Sequence, residues 1–530
     1  MLTPFNLTES LVNNMKCFSE KVFLAVAPPT EDDSKSDHKR LLQALSMRGY
    51  QNVQFSLGVL QHLYPLCRDC GYQITVTLVW QEHGWIAVSV EPGDTRSHHY
   101  GLAADYGSTT IIMQMVDLNT GKVIAQARET NGQVLYGTDI LTRITYTQED
   151  TAHMDDLQRV TVDTFQHLLD RLTKETGIAA KDCPVLIISG NTTMIHFLLK
   201  LNAWTVFSAP YAPVTSDPGW IRGPEVGLDF SGILYIIPAA SNYIGGDIVS
   251  GLLNLDFWKK DHICLFFDIG TNGELVMGNR EWLLAGAGAA GPALEGYISR
   301  FGMQAADGAI DSISIRKNDL SFTTIGGQKP VGICGSGIID LLAQMLLNGW
   351  ISIAGELNPE ASPRIIYLDE EKQYAVVYAD ADESASGTPL FFSQTDVYQY
   401  LDTKAAAHTM IDCLLESAGI SEENISHCYL SGAFGAHSDL ESAITIGIFP
   451  DLPRERYSCI KNASLDGART LLTDRSRMND IHYFLETLFC VQFASIPDFL
   501  IRMQASKFIP HTDLHRYPTV EEKLKILNNK

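Results

Sequence analysis

Apolar positions along the chain fall into short runs and longer stretches striped at helical spacing. The runs at 74–80 (ITVTLVW) and 86–90 (IAVSV) are separated by 81–85, which contains Gly84, and predict two strands of a small domain. The Pro-led polar segment 28–38 (PPTEDDSKSDH) predicts a loop, and the turn-rich 91–99 (EPGDTRSHH) a boundary. Beyond it strands alternate with helices, the α/β pattern. Apolar stripes predict helices over 157–173 and 402–418, and 340–347 predicts a buried helix after the Gly-rich 332–337. Residues 380–388 (DADESASGT) predict a solvated loop, and the charged 521–530 is expected to fray.

One pattern occurs twice. Residues 102–115 read LAADYGSTTIIMQM and residues 265–277 read LFFDIGTNGELVM. Each is an apolar run, an Asp, a short turn with Gly and hydroxyl or amide residues, and a second β-rich run. Residues 429–435 (YLSGAFG) form a third run leading into a Gly-rich turn. Two related lobes are implied, each opening with a hairpin whose turn carries Asp and Gly. The expected organisation is an N-terminal extension (1–21), a small α+β domain (22–98), a first lobe (99–260), a second lobe (261–460) and a C-terminal segment (461–530) packing on the lobes.

Composition narrows the function. At 530 residues the chain is too long for one core. Its net charge of −23 repels phosphate backbones and argues against nucleic acid as the main partner. Ten scattered Cys suggest reduced thiols in a cytosol. Residues 1–21 hold no secretory apolar stretch, and the longest apolar run, 233–240, is far short of a membrane span, so a cytoplasmic protein without membrane association is expected.

The two Asp turns suggest phosphate and metal chemistry. A phosphate needs converging N–H donors in a tight turn. Gly107 permits close backbone approach, and Ser108, Thr109 and Thr110 add hydroxyls. Asp105 at the strand end would hold Mg²⁺, through water, since Mg²⁺ keeps its hydration shell and prefers carboxylates. Asp268, Gly270, Thr271, Asn272, Gly273 and Glu274 repeat the arrangement. Either turn alone could be an ordinary hairpin, where such residues are common. Two on duplicated lobes favour a pair of hairpins clamping the phosphates, with a cation between the carboxylates. Gly432, Ala433, Phe434 and Gly435 would let a nucleoside lie against the backbone; on its own that turn is equally a packing feature.

Together these motifs resemble the actin, hexokinase and heat-shock chaperone superfamily of ATPases. Residues 105–110 resemble its first phosphate motif, 268–274 its second, 432–435 its adenosine motif, and 189–194 (SGNTTM) its connecting motif. Further stretches narrow the resemblance to the ATP-dependent reductive activators of corrinoid proteins. They include 26–45 (VAPPTEDDSKSDHKRLLQAL), 189–199 (SGNTTMIHFLL), 243–253 (YIGGDIVSGLL), 331–341 (VGICGSGIIDL), 462–472 (NASLDGARTLL) and 508–513 (FIPHTD). The resemblance runs from about residue 22 to 513. It implies two duplicated actin-like, ribonuclease H-like ATPase lobes around a nucleotide cleft, preceded by a small α+β domain. It also implies ATP and Mg²⁺ as cofactors and reduction of cob(II)alamin to cob(I)alamin on a partner, the corrinoid (cobalamin-binding) protein of a methyltransferase system.

The sequence departs from that family at its start. Those activators usually begin with a ferredoxin-like domain whose two-iron cluster needs four Cys. Here only Cys17 precedes the loop at 28–38, so no iron–sulfur cluster is expected and a separate electron donor is implied. Cys67 and Cys70 form a CxxC that a homodimer would double to four thiols, but a lone CxxC reads better as structural thiols. Cys334 reads as a packing residue, and His98–His99 as a solvated pair. The Gly-rich runs 286–291 and 332–337 suit either nucleotide packing or close-packed turns. Trp204, Tyr211 and Trp220 suit a partner surface or the core.

The expected mechanism is electrostatic. Asp105 and Asp268 position Mg²⁺, the turns hold the phosphates, and Asn191 or Glu274 orients the attacking water. A small-molecule kinase on the same fold and a non-catalytic ATP-binding regulator are the alternatives.

Overall fold

A computed structural model of the chain describes residues 16–270, 272–288, 298–316, 319–432 and 438–528. The chain folds as two compact units. The first comprises everything up to Asn254 together with Ala463–Glu486; the second comprises Leu255–Asn462 together with Thr487 onward.

The first unit begins with a four-stranded sheet. Strands β1 (Ser19–Ala25), β2 (Val53–Phe55), β3 (Gln73–Gln81) and β4 (Gly84–Pro92) lie in the order β1-β3-β4-β2. β3 is central and buried on both faces, so its apolar run is nearly unbroken. The helices Asp37–Met47 and Leu57–Asp69, capped by the Ser36 and Ser56 hydroxyls, supply Leu41, Leu45, Leu63 and Cys67 to this core.

A six-stranded sheet follows. Its strands are β5 (Tyr100–Tyr106), β6 (Thr110–Asp117), β7 (Lys122–Thr130), β8 (Val185–Gly190), β9 (Gly219–Arg222) and β10 (Ile233–Ile236), in the order β7-β6-β5-β8-β10-β9. β5, β6 and β7 form an antiparallel meander, and β8 joins β5 in parallel. The crossover helix His153–Thr176 buries Leu157, Phe165, Leu168, Leu169 and Leu172, the stripe predicted for 157–173. Left-handed Gly177 ends it.

The second unit repeats this order. Strands β11 (Ile263–Ile269), β12 (Gly273–Gly278) and β13 (Leu283–Gly288) form the meander. Two three-stranded sheets follow: β14 (Ala309–Arg316), β15 (Asp319–Thr324) and β16 (Gly332–Ile333); then β17 (Ile365–Leu368), β18 (Gln373–Ala379) and β19 (Leu390–Ser393). The chain re-enters the main sheet as β20 (Ile425–Ser431) and β21 (Tyr457–Cys459), and β22 (Leu488–Cys490) adds an edge. The order is β21-β20-β11-β12-β13-β22, with β20 parallel to β11. In both sheets the third, second, first and fourth strands stand side by side, with a further parallel strand beyond the fourth, β10 in the first sheet and β21 in the second. This is the ribonuclease H-like arrangement of the actin-type lobe, and its occurrence twice is the duplication that the two Asp turns implied.

Three local expectations change. The C-terminus does not fray at 521. A helix runs over Pro518–Asn528, because Tyr517 and Val520 are fully buried in the second core while the charges take the outer face. Residues 332–337, read as either nucleotide packing or close-packed turns, run from β16 into the start of the helix Gly335–Leu347 and are closely packed: a Cβ on Gly332 would sit 2.3 Å from the Phe301 carbonyl, and one on Gly337 2.4 Å from that of Ile310. His98 is exposed, but His99 is buried with Nε2 3.0 Å from the Ser19 hydroxyl.

Burial, with the Lys21 charge nearby, pushes the His99 imidazole down to about 3. The unfolded chain therefore binds a proton below about pH 6.5 that the folded chain refuses. Stability should fall as pH drops through that window, by about 2 kcal/mol between pH 6.5 and 5 from this group. Denaturant unfolding at both pH values should show the loss, and His99→Gln should flatten it. An unchanged slope in the variant would assign the acid sensitivity elsewhere.

Candidate functional site

In the first unit, β5 delivers Asp105 and then turns at Gly107–Thr109 into β6. Three consecutive carbonyls of this turn are held from one side. Asn131 Nδ2 donates to the Gly107 carbonyl (2.9 Å), Arg143 Nη1 to that of Ser108 (2.7 Å), and the Asn131 N–H to that of Thr109 (2.9 Å). In a trans peptide the C=O and the following N–H point oppositely. The N–H groups of Ser108, Thr109 and Thr110 are thus turned away from these anchors, the arrangement an anion cradle requires.

Arg143 stands behind the cradle. It is fully buried, and among the described residues no carboxylate pairs with it. Besides Ser108, its donors reach the Gly137 carbonyl, Gln133 Oε1 and Met194 Sδ, while Nη2 finds no partner. A buried cation without a counter-charge favours an anion nearby. Arg143→Met should weaken anion binding at this turn about tenfold or more, measured by equilibrium titration. Unchanged affinity would reduce Arg143 to a prop for the turn.

Asp105 sits beside β8, in parallel register with Ser189. Ser464, at the start of the helix Ala463–Thr473, donates to Asp105 Oδ1 at 2.7 Å. Its hydroxyl also lies 2.9 Å from Ser189 Oγ, which is 2.7 Å from Ser250 Oγ. Gly467 permits this approach, since a Cβ there would sit 1.9 Å from the Ser250 carbonyl.

A second carboxylate completes this group. Asp247, in the helix Gly246–Leu252, lies near the end of β8. A Cβ on Gly245 would come within 2.7 Å of Asp247 Oδ1, 2.8 Å of Asn191 Cα and 2.9 Å of the Gly190 carbonyl. Burial pushes the Asp247 carboxyl up to about 7, and the Asp105 charge adds to the rise. Two carboxyls in mutual repulsion suit a site that takes a cation.

In the second unit, Asp268 ends β11 with Glu274 directly opposite on β12 and Ser431 in parallel register on β20. The turn closes through the Gly270 N–H donating to the Asn272 carbonyl at 3.0 Å. Gly432, with φ +86°, follows β20. A Cβ there would sit 2.2 Å from the Ile269 carbonyl and 2.6 Å from Asp268 Oδ1. The duplication thus extends further than the hairpins: each Asp faces a Ser-Gly at the end of the fourth strand, Ser189-Gly190 in one lobe and Ser431-Gly432 in the other.

The structure groups Asp105, Gly107, Ser108, Thr109 and Thr110 with Asn191 in the first unit. It groups Asp268, Gly270, Asn272, Gly273 and Glu274 with Gly432 in the second. Thr271, Ala433, Phe434 and Gly435 lie outside the described residues. Asn191 Oδ1 caps the helix Thr192–Leu198 by accepting from the Thr193 N–H at 3.0 Å. Arg143, Asp247 and Ser464 escaped sequence reasoning. Residues 243–253 and 462–472 carried the signal for two of them as family-like stretches without a role.

Other candidates are structural. Burial pushes the Cys67 thiol up to about 11, which disfavours the thiolate a metal needs. Cys334 Sγ is buried and contacts the Ile310 carbonyl. His408, Asp412 and His511 bring ligand atoms within 4.8 Å of one another. However, Arg516 binds Asp412 through both terminal nitrogens, and buried Lys404 donates to the carbonyls of Ser506, Phe508 and Pro510. The Arg516 guanidinium already satisfies that carboxylate, and the cluster fastens the C-terminal segment onto the helix Gln394–Ala418. Trp204 and Tyr211 are exposed. No helix among the described residues is long and apolar enough to cross a membrane.

Three family descriptions match the chain end to end: "RACo linker region" at residues 13–97, "RACo middle region" at 100–260, and "C-terminal domain of RACo the ASKHA domain" at 262–521. The chain is 28% identical over 494 residues to "Corrinoid activation enzyme RamQ" of Eubacterium limosum, covering 92% of this chain and 82% of that protein. It is 25% identical over 410 residues to "[Co(II) methylated amine-specific corrinoid protein] reductase" of Methanosarcina barkeri, covering 72% and 71%. A solved structure titled "Reductive activator for corrinoid,iron-sulfur protein" matches with a TM-score of 0.88 and 32% identity, over 97% of this chain and 82% of that one.

Proposed function

This chain belongs to the family of reductive activators of corrinoid proteins, and on that premise we propose that it couples ATP hydrolysis to the reduction of a partner's inactive cob(II)alamin to cob(I)alamin. The partner is the corrinoid protein of a methyltransferase system, and the single electron comes from a separate low-potential donor. The observation that carries this reading is the duplicated strand end: an Asp, a turn rich in small residues and a facing Ser-Gly, present once per lobe.

In this proposal the outward N–H groups of residues 108–110, with Arg143 behind them, hold phosphate oxygens. In the first unit Asp105, oriented by Ser464, is a carboxylate for a hydrated Mg²⁺; in the second unit Asp268, opposite Glu274, is another. When bound, Mg²⁺ offsets charge developing on the β–γ bridge. Asp247 takes the role first assigned to Asn191 or Glu274: it orients the attacking water and accepts its proton. Nucleotide-dependent closure of the lobes would favour reduction only where the partner binds the closed and open states unequally.

The test mixes protein, ATP, a low-potential reductant and a cob(II)alamin-loaded partner. ATP-stimulated appearance of the cob(I) absorption is expected, and its absence with cognate partners rejects the activator role. Asp268→Asn should abolish phosphate release while leaving the circular dichroism spectrum unchanged. Surviving turnover would remove the second hairpin from the site. Asp247 also offers the carboxylate base that a small-molecule kinase would need, so a screen for ATP-dependent phosphorylation separates that second reading.

A further inference from the structure

Within the first unit, a cavity of about 590 Å³ opens between the outer strands of the small domain and those of the six-stranded sheet. Glu82 and Trp85 line it from one side; Asp217, Trp220 and Tyr235 line it from the other. None of these residues belongs to the nucleotide site proposed above. The size is that of a small-molecule pocket.

Three features indicate the ligand. First, two carboxylates share the cavity. Burial and the Glu82 charge both raise the Asp217 carboxyl above its usual range. The His482 imidazole, 3.6 Å from Glu82 Oε1, offsets part of this rise. Second, Tyr235 is only 3% exposed and lines the cavity, yet its hydroxyl makes no hydrogen bond among the described residues. The hydroxyl is open to the cavity, where its oxygen lone pairs are available to a cation. Third, the walls are aromatic. Trp220 stacks at 4.6 Å on Tyr235, and Trp85 already holds a cation, the Arg475 guanidinium 4.7 Å from its ring centre.

A hydrated divalent metal would use the carboxylates and gain little from the indole walls. A neutral apolar ligand would use the walls and leave the carboxylates in mutual repulsion. An alkylated ammonium uses both, being weakly hydrated and attracted to aromatic faces, Trp most strongly. We propose that this cavity binds a small organic cation, an alkylated ammonium, between the carboxylates of Glu82 and Asp217 and the aromatic walls formed by Trp85, Trp220 and Tyr235.

Titrating the full chain with tetramethylammonium chloride while recording tryptophan fluorescence tests the site. A saturable change is expected, together with a rise in unfolding temperature. Sodium chloride at equal ionic strength, and tert-butanol as a neutral ligand of similar shape, should produce neither. The double variant Glu82→Gln, Asp217→Asn should weaken binding roughly tenfold or more. It should fold at least as well as the parent without ligand, since it removes a repulsion. Trp220→Leu should weaken binding similarly with the carboxylates intact. A non-saturating response, an equal response to tert-butanol or sodium chloride, or unchanged binding in the double variant would overturn the proposal.

Discussion

The Asp247→Asn protein should bind Mg–ATP within roughly threefold of the parent and release phosphate about a hundredfold more slowly, or slower still. The substitution keeps the side chain's shape and removes only its ability to take a proton. Asp247 is one of two carboxyls near the end of β8, and burial with the Asp105 charge beside it raises its proton affinity. A carboxyl so placed has the affinity that proton transfer from water requires near neutrality. Asn191, by contrast, has its side-chain oxygen engaged in capping a helix. Steady-state phosphate release and an equilibrium binding measurement check the claim together. Parent-level turnover would leave Asp247 a bystander, and lost binding would mean that it holds the metal instead.

Gly432→Ala should cost the second unit roughly 2–4 kcal/mol and suppress turnover with it. Two independent penalties act there. The residue has φ +86°, which a side chain tolerates at a cost of about 1–2 kcal/mol. The added methyl would also stand 2.2 Å from the Ile269 carbonyl and 2.6 Å from Asp268 Oδ1, so the backbone or the Asp268 carboxylate must move. Gly270→Ala provides the contrast. Among the described residues no atom beyond its chain neighbours lies within 4 Å of the added carbon, so it should cost less than about 1 kcal/mol of stability. Denaturant unfolding and phosphate release on both variants decide the matter. Equal stability of the two would mean that the close approach of Gly432 to Asp268 is unimportant.

Both expectations rest on strand ends that were legible to different degrees. Asp105 and Asp268 stood out because an apolar run, an acid and a turn of small residues recur within a dozen positions. The pairing of each with a Ser-Gly did not stand out. Ser189 is 84 residues from Asp105 in the chain, and Ser431 is 163 from Asp268. Only parallel register brings them together. His99 shows the same limit: among turn-forming neighbours it reads as solvated, yet packing buries it and sets its Nε2 3.0 Å from the Ser19 hydroxyl.

By itself the sequence determined the elements and the duplication, because alternation, helical stripes and turn residues act over a few neighbouring positions. It determined the two acid-bearing hairpins for the same reason. The tertiary structure alone decided that Ala463–Glu486 joins the first unit, that Ser464 bonds Asp105, that Arg143 is a buried cation behind the first turn, and that Asp247 has a raised proton affinity. Those properties depend on desolvation and on charges from distant segments, and neither exists until the chain has packed.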